Sequence, residues 1–148
     1  NADRQKIVWL GAQPTIVSGS EGIHHDLIKL IGADNAGAVT GGRSCNVTVE
    51  KILRWNPDVI FIWGNAKYSP SEILNNPQWK HVKAVKNRRV YKAPDWSIWS
   101  PRIAPVALWM AIKTYPSLYR DVNLNQVIDN FYRKVFNIRY DMVTKIEN

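Results

Sequence analysis

Three histidines, one cysteine and twelve carboxylates are the groups with which this chain would do catalytic or metal chemistry. Their spacing does not assemble them. His24 and His25 are neighbours, and adjacent helical residues point about 100° apart, whereas a two-ligand face needs His at i and i+4. His81 lies far along the chain. A metal needs a converging ligand set, so the histidines read as solvated or capping groups. Cys45 is followed by Asn46 and has no nearby His, so a thiol nucleophile would lack its activating base. Asn46-Val47-Thr48 has the form of a glycosylation sequon, but Thr48 is better used as a helix cap. There is no nucleophile elbow, no phosphate-binding Gly-rich loop ending in Lys and no His-Glu-x-x-His. The sequence therefore assigns no catalytic residue, no metal ligand and no cofactor, and it reads as a non-enzyme.

Binding chemistry has better candidates. Gly41-Gly42-Arg43-Ser44 is either a flexible turn or a small anion-binding nest. The loop Asp95-Trp96-Ser97-Ile98-Trp99-Ser100-Pro101-Arg102 is more informative. It follows a strand and precedes a helix, where free N–H groups and the dipole favour anions. Trp96 and Trp99 would offer flat stacking surface, and Arg102 a rigid cationic fork. The plainer reading is one Trp covering the core edge and Arg102 paired with a carboxylate.

The elements that would position these loops follow from periodicity. Lys6 to Leu10 reads as a strand ended by Gly11 and Pro14. Ser18-Gly-Ser-Glu21 has capping-box spacing ahead of Ile23, Leu27, Leu30 and Ile31, and Gly32 closes that helix. Residues 33–47 read as a Gly-rich loop with at most a short strand. Thr48 caps a helix from Val49 to Trp55 that must stop before Pro57. Val59 to Trp63 is a continuous apolar run, the mark of a strand buried on both faces of a parallel sheet. Ser69 to Glu72 opens a short helix through Leu74, and a strand follows at Arg89 to Lys92. Ser100-Pro101 supplies a cap with Pro at the first helical position. A last amphipathic helix places Val127, Phe131 and Val135 in one row, with Ile128, Tyr132 and Phe136 beside it. The expected fold class is α/β, a three-layer sandwich around a mostly parallel sheet.

Composition agrees with one such lobe. The 148 residues are 45% hydrophobic and 22% charged, enough to bury a core. No apolar run approaches the ~20 residues of a membrane-spanning helix. The net charge of +8 raises nucleic acid, anionic membrane and anionic ligands as partners. The Lys and Arg are spread along the chain, however, and the densest cluster, Lys86 to Arg89, sits at a turn. No nucleic-acid motif accompanies it, and none is expected as a partner. Asn1-Ala2 reads as a cloning scar, so a targeting segment could have been removed upstream.

In order, the chain carries Ser18-Gly-Ser-Glu, then His-His-Asp-Leu-Ile-x-x-Ile-Gly-Ala-Asp-Asn35. Next come Val47-Thr-x-Glu50-x-Ile-Leu-x-Trp-Asn-Pro-Asp-Val-Ile60, Ala84-Val-Lys-Asn-x-x-Val-Tyr91 and Ser100-Pro-Arg102. Each block alone is weak, but the ordered set, spanning residues 5–118, resembles the C-terminal lobe of periplasmic-binding-protein-like ABC importer receptors for siderophores, haem and cobalamin. The resemblance implies one lobe of a two-lobed receptor with a rigid interlobe helix. Residues 1–148 would form that lobe, and the N-terminal lobe would lie elsewhere in the parent protein. It implies a periplasmic location, or an extracytoplasmic, lipid-anchored one. It further implies that Glu50 docks on an Arg of the membrane permease. The ligand would face Pro14 to Val17 with Ile16, the Arg43-Ser44 stretch, the loop near Tyr68, and Asp95 to Trp99. Ser44 departs from the cobalamin receptors, which place an aromatic there. The ligand implied is a metal chelate, an iron-siderophore, haem or similar; a molybdate-type oxyanion and an α/β regulatory or enzyme domain of another class remain the alternatives.

Overall fold

The computed structural model describes residues 3–95 and 99–140. The chain divides into two compact units, residues 1–95 and 96–148.

The first unit is built on a mixed sheet. β1 (Lys6–Leu10) and β5 (Val59–Ile62) are the apolar runs seen in the sequence. They pair in parallel from Ile7↔Val59 to Leu10↔Ile62. β6 (Val90–Lys92) extends the parallel half beside β5. Every residue of β5 is fully buried, as a strand covered on both faces requires. The other half is antiparallel. β2 (Ile16–Ser18) returns from β1 with Leu10 opposite Val17, and β4 (Ser44–Asn46) pairs with β2. The two-residue β3 (Asp34–Asn35) lies parallel to the first half of β1. β2 escapes a periodicity reading because three residues between Pro14 and Gly19 are too few to show a period of two.

Helices cover both faces. On one side Val8, Leu10, Ile60 and Ile62 pack in a cluster with Ile52 of α2 (Val49–Trp55) and Ile73 of α3 (Pro70–Leu74). Val85 of α4 (Lys83–Lys86) joins the same cluster, as does Trp79 from a short 3-10 turn. On the other side α1 (Ile23–Leu30) buries Leu27 and Ile28 and stacks His24 on Trp9. Trp9, Phe61 and Tyr91 are register neighbours on β1, β5 and β6 and form an aromatic row, with centroids 5.9 and 6.0 Å apart.

The caps explain where helices start and stop. Thr48 accepts the Lys51 N–H at 3.3 Å, as its position implies. Ahead of α3, Glu72 reaches back to the Ser69 N–H at 2.8 Å. The capping box expected at Ser18 does not form. Ser18 is a buried residue of β2, and α1 instead begins after Gly22, which has no capping side chain. Sheet pairing wins because Ser18 opposite Ser44 continues the β2–β4 ladder. At the other end Gly32, at φ +78°, donates to Lys29 O, and Ala33 donates to Ile28 O, a Schellman closure.

In the second unit α5 (Ile103–Thr114) starts two residues later than Ser100-Pro101 suggests. Residues 100–103 make a turn first, with the Ile103 N–H on Ser100 O at 3.0 Å. α6 (Leu124–Phe136) is capped by Asn123, which accepts the Gln126 N–H. Of the two apolar rows read from the sequence, Ile128 and Tyr132 are buried, whereas Val127 and Val135 are exposed.

Candidate ligand-binding site

The carboxyl ends of β1, β5 and β6 lie together at one edge of the first unit, where open α/β sheets bind ligands. Their loops are tied to one another. The Trp63 N–H donates to Leu10 O at 2.9 Å, and the Ala66 N–H donates to Trp63 O at 3.0 Å. The Tyr68 hydroxyl donates to Gly11 O at 2.9 Å. The Lys92 ammonium donates to Ala66 O at 2.7 Å and Tyr68 O at 3.2 Å. Gly64 passes so close to the segment just after β6 that a Cβ there would stand 2.5 Å from Pro94 O. Together these contacts make a rim whose shape is set before any ligand arrives.

The candidate residues fall in several places. Ile16 is half-buried beside Gly11, at the end of β2 nearest the rim. Tyr68 is buried, and its hydroxyl points at the Gly11 carbonyl. Burial pushes its phenol well above the ordinary range, so it acts here as a neutral hydrogen-bond donor that holds two loops together. Asp95 is exposed at the end of the β6 loop. Arg43 and Ser44 are exposed on the opposite side of β2 from the rim, where β4 enters the sheet opposite Ser18. There Arg43 lies against the start of α1: a Cβ on Gly22 would meet Arg43 Cγ at 3.8 Å. The rim and the Arg43-Ser44 stretch are therefore distinct patches of the first unit.

In the second unit Trp99 is 81% exposed, and Trp96 lies outside the described residues. Arg102 is half-buried, with its guanidinium carbon 6.0 Å from the Tyr132 ring centroid and 5.7 Å from that of Phe136. That is cation–π range, so α6 already occupies part of its recognition surface. Glu50 is fully exposed in the first turn of α2. Hydrogen bonds from its own backbone N–H and from Thr48 hold its carboxyl below the usual range. It is thus anionic and outward-facing.

Sequence reasoning missed two rim residues. Trp63 is 37% exposed and is the one exposed aromatic among the described residues of this unit. It closes an apolar run and so reads as buried strand; Gly64-Asn65 immediately after it is the signal that the strand has already ended. Lys92 looks like a solvated strand residue until its two carbonyl partners are seen. Among the described residues no group of three or more His, Cys, Asp or Glu could hold a metal.

Residues 1–96 match the family described as periplasmic binding protein. The molybdate-binding protein MolA of Haemophilus influenzae is 31% identical over 146 residues, covering 95% of this chain and 41% of its own. The high-affinity heme uptake system protein IsdE of Staphylococcus aureus is 35% identical over 72 residues, 45% of this chain and 25% of its own. The solved Helicobacter pylori CeuE–Ni-His complex superposes with a TM-score of 0.88 at 31% identity, over 98% of this chain and 50% of that one. The chain thus spans half or less of the length of these relatives. With the matched family covering well over half of its residues, this chain is a member of the periplasmic binding protein family.

Proposed function

We propose that residues 1–148 form the C-terminal lobe of an extracytoplasmic ABC importer receptor that captures a metal chelate and delivers it to a membrane permease. The observation that carries this is the superposition of 98% of the chain on half of CeuE, itself solved with Ni-His. One lobe matched along nearly its whole length, with the other half of the relative unmatched, is what half of an interlobe cleft should give. Catalysis plays no part; the lobe binds and releases. The ligand would sit against the rim at the ends of β1, β5 and β6, with Ile16 and Asp95 at its margin. Glu50 would pair with a permease arginine. A receptor of this kind works outside the cytoplasm, by lipid anchor or free in a periplasm.

A second reading, an oxyanion receptor, is favoured by the match to MolA over 95% of the chain. Arg43 beside the start of α1 is the group that would serve it, since cations and helix starts both favour anions.

Titration tests both. Haemin, ferric catecholate, Ni(II)-histidine and molybdate are added to the 148-residue chain and to the full-length protein, with Trp fluorescence as readout. A cleft buries most of a small ligand's surface, and one lobe covers only part of it. The full-length protein should bind at least one probe, and the isolated chain about tenfold or more weakly. Equal affinities would mean that the second lobe contributes nothing, and the interlobe reading would fall.

A further inference from the structure

We propose that Trp63 is the residue by which this lobe selects a chelate with a flat, unsaturated face over a small oxyanion. The inference rests on the ligand-binding reading above and names a determinant within it. Three observations carry it. First, Trp63 stands at the carboxyl end of the central parallel strand, between the ends of β1 and β6, which is where a ligand of an open sheet is met. Secondly, it is 37% exposed although the strand before it, β5, is wholly buried, and the uncovered part of an indole forgoes burial of apolar surface. Thirdly, its backbone is fixed on both sides. Its N–H is bonded to Leu10 O and its carbonyl to the Ala66 N–H, while Lys92 and Tyr68 lock the rest of the loop. Gly64, with no side chain, lets the loop lie directly on the Ala93-Pro94 backbone.

With the backbone already fixed, only the two side-chain torsions of the ring are left to order when a ligand stacks on it, so more of the contact energy is kept as affinity. Indole offers a π-face to a porphyrin or a catecholate ring. To a tetrahedral oxyanion it offers only an indole N–H, while the usual oxyanion partners are guanidinium and backbone N–H groups. The same residue therefore favours the first ligand class over the second.

The test uses the full-length protein with haemin, the ferric catechol complex and molybdate, each followed by equilibrium dialysis. Trp63→Leu keeps apolar bulk at the rim and removes the ring; Trp63→Phe keeps a ring. The expected result is that Trp63→Leu weakens haemin or ferric catecholate binding by about tenfold or more, the scale of an aromatic stacking contact. Trp63→Phe should stay within a few-fold, the residual ring face sufficing. Melting curves should place both variants near the wild type. Undiminished chelate binding by Trp63→Leu would overturn the assignment while leaving the receptor reading in place. Wild-type binding of molybdate alone would overturn it in the same way. Failure of the wild type to take up any of the three probes would overturn this inference, and refusal of Ni(II)-histidine as well would bring down the receptor reading itself.

Discussion

His24 is a titratable residue for which the proposed function has no use. Its ring lies 4.3 Å from that of Trp9 and 19° from parallel, and its Nε2 is buried with no hydrogen-bond partner. Burial pushes its pKa down to about 4, against about 6.5 in an unfolded chain. The folded protein therefore keeps it neutral while the unfolded chain takes up a proton as pH falls below 6.5. Stability tied to this group is complete above that value, is lost between about 6.5 and 4, and changes no further below. The full shift corresponds to about 3 kcal/mol as an upper figure. Asp58 loses its contribution in a lower window. Burial pushes its carboxyl up, but hydrogen bonds from Lys83 and the Lys6 N–H outweigh that and hold it below the usual range. Urea unfolding at pH 7 and pH 4.5 should thus cost the wild type more than His24→Phe, which preserves the stack. The same loss in both proteins would show that His24 takes up its proton without cost in the fold.

At the scale of elements, the rim depends on close backbone approach more than on side-chain packing. Gly64 is the clearest case, because the nearest atoms to an added Cβ are Pro94 O, Pro94 C and Ala93 O, all of them backbone. Backbone cannot swing aside as a side chain tip can. Gly64→Ala should force the Ala93-Pro94 segment and the Trp63 loop apart, at about 1–3 kcal/mol, the range of overpacked sites. For a chain of this size that is a drop in melting temperature of several degrees, at about 2–4 °C per kcal/mol. An unchanged melting curve would mean that the loops slide past each other freely and that the rim is not fixed in advance. The short elements near it were legible to different degrees. Thr48 and Ser69 cap where their residue types and spacing say, because a cap is settled within four residues. Ser18-Gly-Ser-Glu21 has the same local grammar, but Ser18 is taken by pairing with Ser44, twenty-six residues on.

On the proposed reading transport would be a property of the whole molecule, and Glu50 the residue through which it could be separated from binding. Its side chain is exposed, and its hydrogen bonds are to its own N–H and to Thr48. Nothing in the core depends on it. Rim charges act mainly on encounter and on salt dependence, while a desolvated pair costs about 2–5 kcal/mol when one partner is lost. Glu50→Arg in the full-length protein should leave ligand affinity and melting close to wild type and lower uptake through the cognate permease by about tenfold or more. Uptake at the wild-type rate by the charge-reversed protein would confine Glu50 to steadying the start of α2.

The sequence by itself determined the α/β class, the parallel centre of the sheet, both ends of α2 and α3 and the close of α1. These rest on local periodicity, on caps and on apolar runs such as Val59 to Ile62, which need no distant residue to be read. It also determined the family, through short blocks in a set order. Only the tertiary structure decided that Tyr68 spends its hydroxyl on Gly11, that Lys92 pins the rim, that Arg102 lies over Tyr132 and Phe136, and that Trp63 is left facing solvent. The rim contacts depend on which loops meet across strands far apart in sequence, and the Arg102 contact on α6 packing back over the start of α5. A side chain's type says what it can bond, but its partner is set by where the sheet register brings the chain back.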